Sequence, residues 1–353
     1  MRTIGIAVLA ASALLLAACT GTGPADPTTS PSSHDASPRA SSATEFVTGL
    51  TIPWAVGGER IERDGTKGND PGEWPAFPVA ATRLWDTRTA WLNLEPAEGQ
   101  FDWTTLDAHL AKAESEGVDD ITLVLAGTPQ WAATRELPTD APWLGPGSAS
   151  PPRDLEQWRA FVAAVATRYA GRIDAYEIGN EPNLLTFWNG TPAEYADLVS
   201  TAARAIREED PGATVIVNAG LVRRPADVAT LQPWLGTLGA NPDLDVVSVH
   251  VYPAADALAD VPALLESIRA SLSGLGFARR PAWVTEVNVQ DGSTLTDAQQ
   301  QQAVTDLTRQ IDDAGFARAY WYAWTDLGPE SLIQLAPGTP GDKVLSEAAS
   351  VTG

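Results

Sequence analysis

The sequence has few of the residues that build redox, metal and nucleic-acid sites. Among its 353 residues there are one cysteine and three histidines, too few for a disulfide framework or a cysteine-rich zinc site. The net charge of −22 is the opposite of the basic surface that nucleic acids and anionic membranes attract. No glycine-rich phosphate loop and no G-x-S-x-G elbow follows a predicted strand. We therefore expect no metal, no cofactor and no nucleic-acid partner.

The first 44 residues have the composition of a leader and a tether. Met1-Arg2, an apolar run over residues 4–16 and two alanines form a secretory signal pattern, and the run is shorter than the about 20 residues that span a bilayer. Residues 16–19 resemble the bacterial lipoprotein box, with an ordinary cleaved signal as the alternative. We expect a signal peptide over residues 1–18, a lipidated Cys19 with a flexible tether over 19–44, and an exported, membrane-anchored cell-surface lipoprotein.

Residues 45–353 alternate short apolar runs with longer amphipathic stretches. The predicted strands are Phe46–Ile52, Val79–Trp85, Ile121–Ala126, Ile173–Ile178, Thr214–Asn218, Val246–Val251, Ala282–Val287 and Ala319–Trp324. Predicted helices include Thr104–Glu116, Asp154–Tyr169, Pro192–Glu209 and Thr296–Ala314. Apolar strands that alternate with helices predict a parallel sheet buried on both faces. Eight such units predict a single α/β domain, a (β/α)8 TIM barrel, with an open doubly wound sheet as the competing fold.

Two glutamates are predicted at the C-terminal ends of strands, where such barrels carry their functional sites. Glu181 follows the fourth strand in the run Gly-Asn-Glu-Pro, and Glu286 interrupts the apolar seventh strand. These two strand ends face each other across the mouth of a barrel. Cleavage of a glycosidic bond needs such a pair, since one carboxyl protonates the leaving oxygen while the other attacks or stabilises the sugar carbon. The alternatives are a helix-start role for Glu181 and a structural ion pair for Glu286.

Other side chains at the predicted strand ends suit a carbohydrate site. Arg83 and Trp85 share one face of the second strand, and His250 and Tyr252 share one face of the sixth. We expect Arg83 to keep a carboxylate ionised and Tyr252 to donate a hydrogen bond to a nucleophilic carboxylate. Trp324, at the end of the eighth strand, is placed to underlie a sugar ring. The 13 tryptophans, against seven phenylalanines, fit a cleft that stacks on sugars.

The motifs around these residues resemble those of clan A glycoside hydrolases. Residues 176–183, Tyr-Glu-Ile-Gly-Asn-Glu-Pro-Asn, are similar to the acid/base signature of the clan, and residues 283–286, Trp-Val-Thr-Glu, to its nucleophile strand. Residues 91–103 resemble the loop after the second strand in glycoside hydrolase families 39, 5 and 10, and residues 128–131 resemble a loop that is closest to family 39, which contains β-xylosidase-like and α-L-iduronidase-like enzymes. The resemblance implies Glu181 as acid/base, Glu286 as nucleophile and Asn180 at the sugar 2-hydroxyl. It further implies these substrate-site residues: Arg83, Trp85, Trp131, His250, Tyr252 and Trp324.

The sequence therefore predicts a retaining glycoside hydrolase that acts on O-glycosidic bonds of oligo- or polysaccharides. One alternative is a non-catalytic carbohydrate-binding surface lipoprotein, and a second is a solute-binding lipoprotein with two lobes. A third is an endo-acting β-glucanase or xylanase in place of an exo-acting β-xylosidase-like enzyme. We expect a monomer whose partners are the carbohydrate and a lipid anchor. Residues 134–152 and 184–190 are predicted to shape the cleft.

Overall fold

Eight parallel strands close into a barrel, which confirms the predicted TIM-barrel fold. They are β1 Val47–Thr51, β2 Thr82–Leu84, β3 Ile121–Leu125, β4 Ala175–Ile178, β5 Thr214–Val222, β6 Val246–Val251, β7 Ala282–Val287 and β8 Arg318–Trp321. Each strand pairs in parallel with the next along the chain, and β8 pairs with β1 to complete the ring. The predicted bounds of the sixth and seventh strands are confirmed residue for residue.

The computed structural model describes residues 46–53, 55–61, 67–70, 73–135, 144–324 and 332–352. All of them belong to the unit Ala36–Gly353. The signal peptide, Cys19 and the tether lie outside the described residues and stay predictions, as does the contribution of residues 136–143 to the cleft. Within the described ranges, no helix combines the length and the apolar character needed to cross a membrane.

Helices surround the strands at most of the connections. The long helices are α1 Thr104–Ser115, α2 Leu155–Tyr169, α3 Pro192–Glu209, α4 Val261–Leu272, α5 Asp297–Asp313 and α6 Pro340–Thr352. Short helical turns cover Trp91–Leu94, Pro225–Leu231, Gln232–Leu235, Leu238–Ala240, Ala255–Asp260, Ser273–Phe277 and Gly292–Thr294. The start of α3 is fixed by a capping box, in which the side chains of Thr191 and Glu194 each accept from the other's backbone N–H.

Two connections differ from the eight strand–helix units that the sequence predicts. After β1 the described chain forms an antiparallel hairpin, Gly58–Ile61 paired with Lys67–Asp70. After β5 it forms the short turns Pro225–Leu231 and Gln232–Leu235 in place of a long helix. After β5, a proline stands at the first or second position of each of these two turns, and proline is tolerated at helix starts but not in helix interiors.

The barrel interior is divided into an apolar layer and a polar layer. The apolar layer lies near the N-terminal ends of the strands and contains Ala81, Ala175, Ile216, Val246, Trp283 and Tyr320. Two positions after each of the first five of these residues, the chain has a polar residue: Arg83, Glu177, Asn218, Ser248 and Thr285. Side chains two apart on a strand point to the same face, so the polar residues enter the interior directly above the apolar layer. All five are at most 1% exposed.

A register irregularity brings two consecutive residues of β7 into the polar layer. The pairing of β6 with β7 shifts between Val249 and His250. Successive side chains of a regular strand point to opposite faces, whereas a local irregularity re-aims one of them. As a result Thr285 and Glu286 both contact residues of the polar layer, at Glu177 and Arg83.

Candidate active site

Arg83 on β2 links polar residues of β4, of the loop that follows β4, and of β7. Its side chain is completely buried. Its Nε donates to Glu177 Oε2 at 2.6 Å, its Nη1 to Glu286 Oε1 at 2.7 Å, and its Nη2 to Asn180 Oδ1 at 3.2 Å. Burial opposes the positive charge, but the two carboxylates outweigh burial and raise the pKa of Arg83. A permanent cation therefore stands between two carboxylates.

Glu177 on β4 accepts four hydrogen bonds, each from a different strand of the barrel. Besides Arg83, its donors are Asn218 Nδ2 at 2.9 Å, Ser248 Oγ at 2.5 Å and Thr285 Oγ1 at 2.6 Å. Burial alone would raise the pKa of this carboxyl, but the charge of Arg83 and the hydrogen bonds reverse the effect and lower it to about 2. Glu177 is not among the site residues predicted from the sequence. The available signal was a carboxylate in the middle of a buried strand, which is costly without a partner.

Glu286 on β7 is held by a cation and a phenol. Arg83 contacts its Oε1, and Tyr252 Oη donates to its Oε2 at 2.7 Å. His250 Nδ1 lies 3.5 Å from the same Oε2. Burial raises the pKa of Glu286, while its electrostatic interactions with His250 and Arg83 and the hydrogen bond from Tyr252 oppose that rise. The structure thus brings Tyr252 to the side chain that the sequence assigns as the nucleophile.

Glu181 stands on the loop after β4 with an unusual backbone. Its φ is +41°, in the left-handed region that residues other than glycine rarely adopt. Its N–H donates to Asn218 Oδ1 at 3.0 Å, which holds this conformation. Gly179 precedes it with φ +79°, and a Cβ there would lie 2.6 Å from the Tyr195 hydroxyl. Burial raises the pKa of the Glu181 carboxyl to about 7, against the opposing charges of Arg83 and a second arginine.

His250 on β6 bridges the two predicted catalytic glutamates. Its Nδ1 lies 2.7 Å from Glu181 Oε1, and its ring is fully buried. Burial lowers the pKa of His250 to about 4, so the ring is neutral near pH 7, and the contact with Glu181 is a hydrogen bond between a neutral imidazole and a carboxyl group whose direction depends on the tautomer of the ring. The predicted grouping of His250 with Glu181 and Glu286 matches this geometry.

The three predicted substrate-contacting tryptophans occupy different environments. Trp85 is buried against Phe187, with ring centroids 6.0 Å apart. Trp324 packs edge-on against Phe77 at 5.4 Å. It follows β8 instead of ending it, because the strand stops at Trp321.

Trp131 packs against the helical layer. Its ring meets Trp91 edge-on at 5.8 Å, and its indole N–H donates to the carbonyl of Glu95 at 3.0 Å. The described contacts therefore join Arg83, Asn180 and His250 to the two glutamates and leave the tryptophans as flanking aromatic residues.

A second unpredicted feature joins the rims of β2 and β8. Tyr322 Oη donates to Asp86 Oδ2 at 2.5 Å. The Tyr322 ring packs against two apolar clusters, one containing Trp85 and Phe187 and the other containing Tyr252. These clusters flank the polar residues, so the candidate site has apolar walls around a charged centre.

Glu181, His250 and Glu286 have the spacing of a cation site. One donor atom of each lies within 4.8 Å of the others. However, Nδ1 of His250 already makes a hydrogen bond with Glu181 Oε1 at 2.7 Å, and a metal ion would have to replace that hydrogen bond before this nitrogen could serve as a ligand. The arrangement therefore fits proton chemistry between a histidine and two carboxyls.

Comparisons with known proteins point to glycoside hydrolases. Two curated beta-xylosidases match parts of the chain. That of Geobacillus stearothermophilus is 34% identical over 73 residues, which are 18% of this chain and 14% of that protein. That of Caldicellulosiruptor saccharolyticus is 30% identical over 115 residues, which are 30% of this chain and 23% of that protein. The matches thus span less than a quarter of either relative.

A solved structure shows the same fold. The GH39 beta-xylosidase of Caulobacter crescentus aligns with a TM-score of 0.58 and 19–20% identity, covering 77% of this chain and 64% of that one. A shorter family pattern, described as beta-galactosidase, matches residues 80–140. The pattern described as Cellulase (glycosyl hydrolase family 5) matches residues 119–327, more than half of the chain. This stretch contains β3 to β8 together with both glutamates, and the chain therefore belongs to the cellulase family, glycosyl hydrolase family 5.

Proposed function

We propose that this protein is a retaining glycoside hydrolase in which Glu181 is the general acid/base and Glu286 the nucleophile. The observation that carries the proposal is the different surroundings of two neighbouring carboxyls. Glu286 accepts hydrogen bonds from the Arg83 cation and from Tyr252, whereas Glu181 is bonded to a neutral histidine. Positive charge stabilises the ionised form of a carboxyl, so the first of the pair to ionise is Glu286.

The spacing of the two carboxyls supports double displacement. One oxygen of Glu181 and one of Glu286 lie within 4.8 Å of each other. Retaining enzymes have carboxyls about 5–5.5 Å apart, and inverting enzymes need about 6.5–9.5 Å to admit a water molecule. The short separation favours direct attack by Glu286 on the sugar.

The reaction then proceeds in two balanced steps. In the first, Glu286 forms a bond to the anomeric carbon while the glycosidic C–O bond breaks, and Glu181 gives its proton to the leaving oxygen. In the second, Glu181 takes a proton from water, the hydroxide oxygen attacks the anomeric carbon, and Glu286 is released as a carboxylate. The pKa of about 7 for Glu181 allows it to be an acid in one step and a base in the next.

β-Xylosides are the substrate class to test first. Two relatives of this chain are beta-xylosidases, and residues 128–131 resemble a loop of family 39. We propose that Asn180, held by Arg83, binds the 2-hydroxyl next to the cleaved bond. The flanking side chains of Trp85 and Trp324 are proposed to contact the sugar, and so is Trp131 from the third loop.

Azide rescue separates the two roles. The full-length protein is assayed on β-aryl glycosides, beginning with xylosides. Glu286→Ala should lose about 10⁴-fold or more in kcat, and azide should restore turnover with an α-glycosyl azide as product. Glu181→Ala with azide should yield the β-glycosyl azide, because azide then attacks the glycosyl-enzyme.

Glu95→Gln, at another buried carboxyl, is the matched control. Full turnover by Glu286→Ala without azide contradicts the assignment, and saccharide binding without turnover by the wild type favours the non-catalytic alternative.

We also propose export and lipid attachment. The supporting feature is the leader with its single cysteine, Cys19, and we further propose domain bounds of 1–18, 19–44 and 45–353 and a monomeric state. Labelled palmitate should enter the wild type and not Cys19→Ala. Recovery of unlabelled, membrane-free wild-type protein would contradict the anchor.

A further inference from the structure

Asn218, in the middle of β5, contacts the backbone of the proposed acid/base Glu181 and the side chains of Glu177 and His250. It is fully buried. Its Oδ1 accepts the backbone N–H of Glu181 at 3.0 Å. Its Nδ2 lies 2.9 Å from Glu177 Oε1, 3.0 Å from His250 Nε2 and 3.3 Å from Ser248 Oγ. Neither the sequence motifs nor the comparisons assign this residue a role.

The orientation of the Asn218 amide is fixed by its neighbours. A backbone N–H can only donate, so the atom that faces Glu181 must be the oxygen. The carboxylate of Glu177, which Arg83 keeps ionised, can only accept, so the atom that faces it must be the nitrogen. A flipped amide would lose both bonds. The Asn218 Nδ2 therefore faces His250 Nε2 as a donor, and at 3.0 Å this contact is shorter than the 3.3 Å to the Ser248 hydroxyl.

This donor determines which nitrogen of His250 carries the proton. Nε2 faces Asn218 Nδ2 at 3.0 Å and Arg83 Nη2 at 3.4 Å, and both are donors. Nε2 must then be the unprotonated acceptor, and the single proton of the neutral ring lies on Nδ1. The ionisable groups near the ring are the cation of Arg83, the carboxyls of Glu177, Glu181 and Glu286, and the phenol of Tyr252, which is bonded to Glu286.

The proton on Nδ1 has a consequence for Glu181. Nδ1–H donates to Glu181 Oε1 at 2.7 Å, so Oε1 acts as an acceptor and the acidic proton resides on Oε2. With the opposite tautomer, Nδ1 would carry a lone pair and would accept the Glu181 proton. That proton would then be directed at the imidazole and away from a leaving group.

We propose that Asn218 is a positioning residue that fixes His250 as the Nδ1–H tautomer and thereby reserves Oε2 of Glu181 for the acid proton. The inference rests on the proposed role of Glu181 as acid/base. Asn218 also holds the left-handed backbone of Glu181 through its Oδ1, so one amide sets both the position of the acid and the direction of its proton.

Asn218→Asp is the discriminating variant. It keeps an oxygen for the Glu181 N–H and replaces the donor at His250 Nε2 by an acceptor. Whether the new carboxyl is ionised or shares a proton with Glu177, it offers a lone pair to Nε2. The proton should therefore appear on Nε2. Asn288→Asp is the matched control, since Asn288 is also fully buried but bonds to residues 322 and 333.

Nitrogen-15 NMR of the histidines reads the tautomer directly. The full-length protein contains three histidines, and His250→Asn identifies the signal of His250. At pH 7 we expect a proton on Nδ1 alone in the wild type and in Asn288→Asp, and a proton on Nε2 in Asn218→Asp. A wild-type His250 protonated on Nε2, or a tautomer unchanged in Asn218→Asp, overturns the proposal. The wild-type spectrum decides the matter even where Asn218→Asp does not fold.

The dependence of kcat/KM on the leaving group tests whether the tautomer of His250 affects acid catalysis. General acid catalysis contributes about 10²–10⁴-fold. Asn218→Asp should therefore lose about 10²-fold or more in kcat/KM on glycosides with poor leaving groups, and less than about tenfold on dinitrophenyl glycosides. A switched tautomer with equal losses on both substrates overturns the positioning role. If Glu181→Gln itself shows no leaving-group dependence, the proposed function fails, whereas the NMR result for Asn218 is unaffected by that failure.

Discussion

Replacing Glu177 by glutamine should destabilise the barrel strongly at neutral pH and much less in acid. The side chain is completely buried and accepts four hydrogen bonds, one of them from the Arg83 cation. Glutamine has nearly the same shape but one acceptor oxygen and no charge. Its NH2 group would face either Arg83 or the donors on Asn218, Ser248 and Thr285.

The magnitude follows from the pKa of Glu177. That pKa is about 2 in the folded protein against an ordinary 4.5, a difference equivalent to about 3 kcal/mol. Removing one partner of a buried ion pair costs about 3–5 kcal/mol, which agrees with this value. The folded pKa is the lower one, so the stabilisation is fully present above pH 4.5 and is lost as the pH falls towards 2.

Chemical denaturation of the wild type and Glu177→Gln, from pH 7 down to pH 3, measures the effect. The difference in unfolding free energy should be about 3–5 kcal/mol at pH 7 and should shrink below pH 4.5. Glu95→Gln is the control, because Glu95 is buried and accepts from the indole of Trp91 and the N–H of Gly99. A loss below about 1 kcal/mol at pH 7, or a loss that does not change with pH, would refute the reasoning.

Three further outcomes are expected. The alkaline limb of the rate profile should lie near pH 7, because Glu181 must be protonated and its pKa is about 7; full activity at pH 9 would contradict this. Tyr252→Phe removes a donor to the Glu286 carboxylate, so kcat should fall about 10- to 100-fold and the acid limb should move to higher pH, whereas an unmoved limb would contradict the contact. Gly220→Ala should lower stability by about 1–3 kcal/mol in thermal unfolding, since φ is +120° and a Cβ would lie 2.3 Å from Asn183 Oδ1; an unchanged melting temperature would count against it.

The fold was predictable because its signals are local. Apolar runs of strand length, each followed by a polar rim residue, mark buried parallel strands, and capping pairs such as Thr191 with Glu194 mark helix starts. The two glutamates were predictable as well, since each stands where a strand delivers its side chain to the rim. The predicted length of the eighth strand was wrong by three residues at its end, which left Trp324 beyond β8.

The polar layer beneath the rim was not predictable in the same way. Glu177 and Asn218 lie within strands, and the donors to Glu177 come from four other strands. No local sequence pattern predicts how those strands are aligned with one another. The simultaneous approach of Thr285 and Glu286 depends on the shifted pairing of β6 and β7, and strict alternation would assign one of them to the outer face. Register between distant strands is set by tertiary packing, and a single sequence carries little information on it.

The left-handed backbone of Glu181 serves the proposed chemistry but is unfavourable for folding. A residue other than glycine at φ +41° costs of order 1–3 kcal/mol, and a carboxyl buried in this way resists ionisation. Both costs arise from the residue that the proposed reaction most requires. Position 181 is therefore where selection for turnover and selection for stability favour different amino acids, and a more stable barrel is most easily reached by giving up the acid.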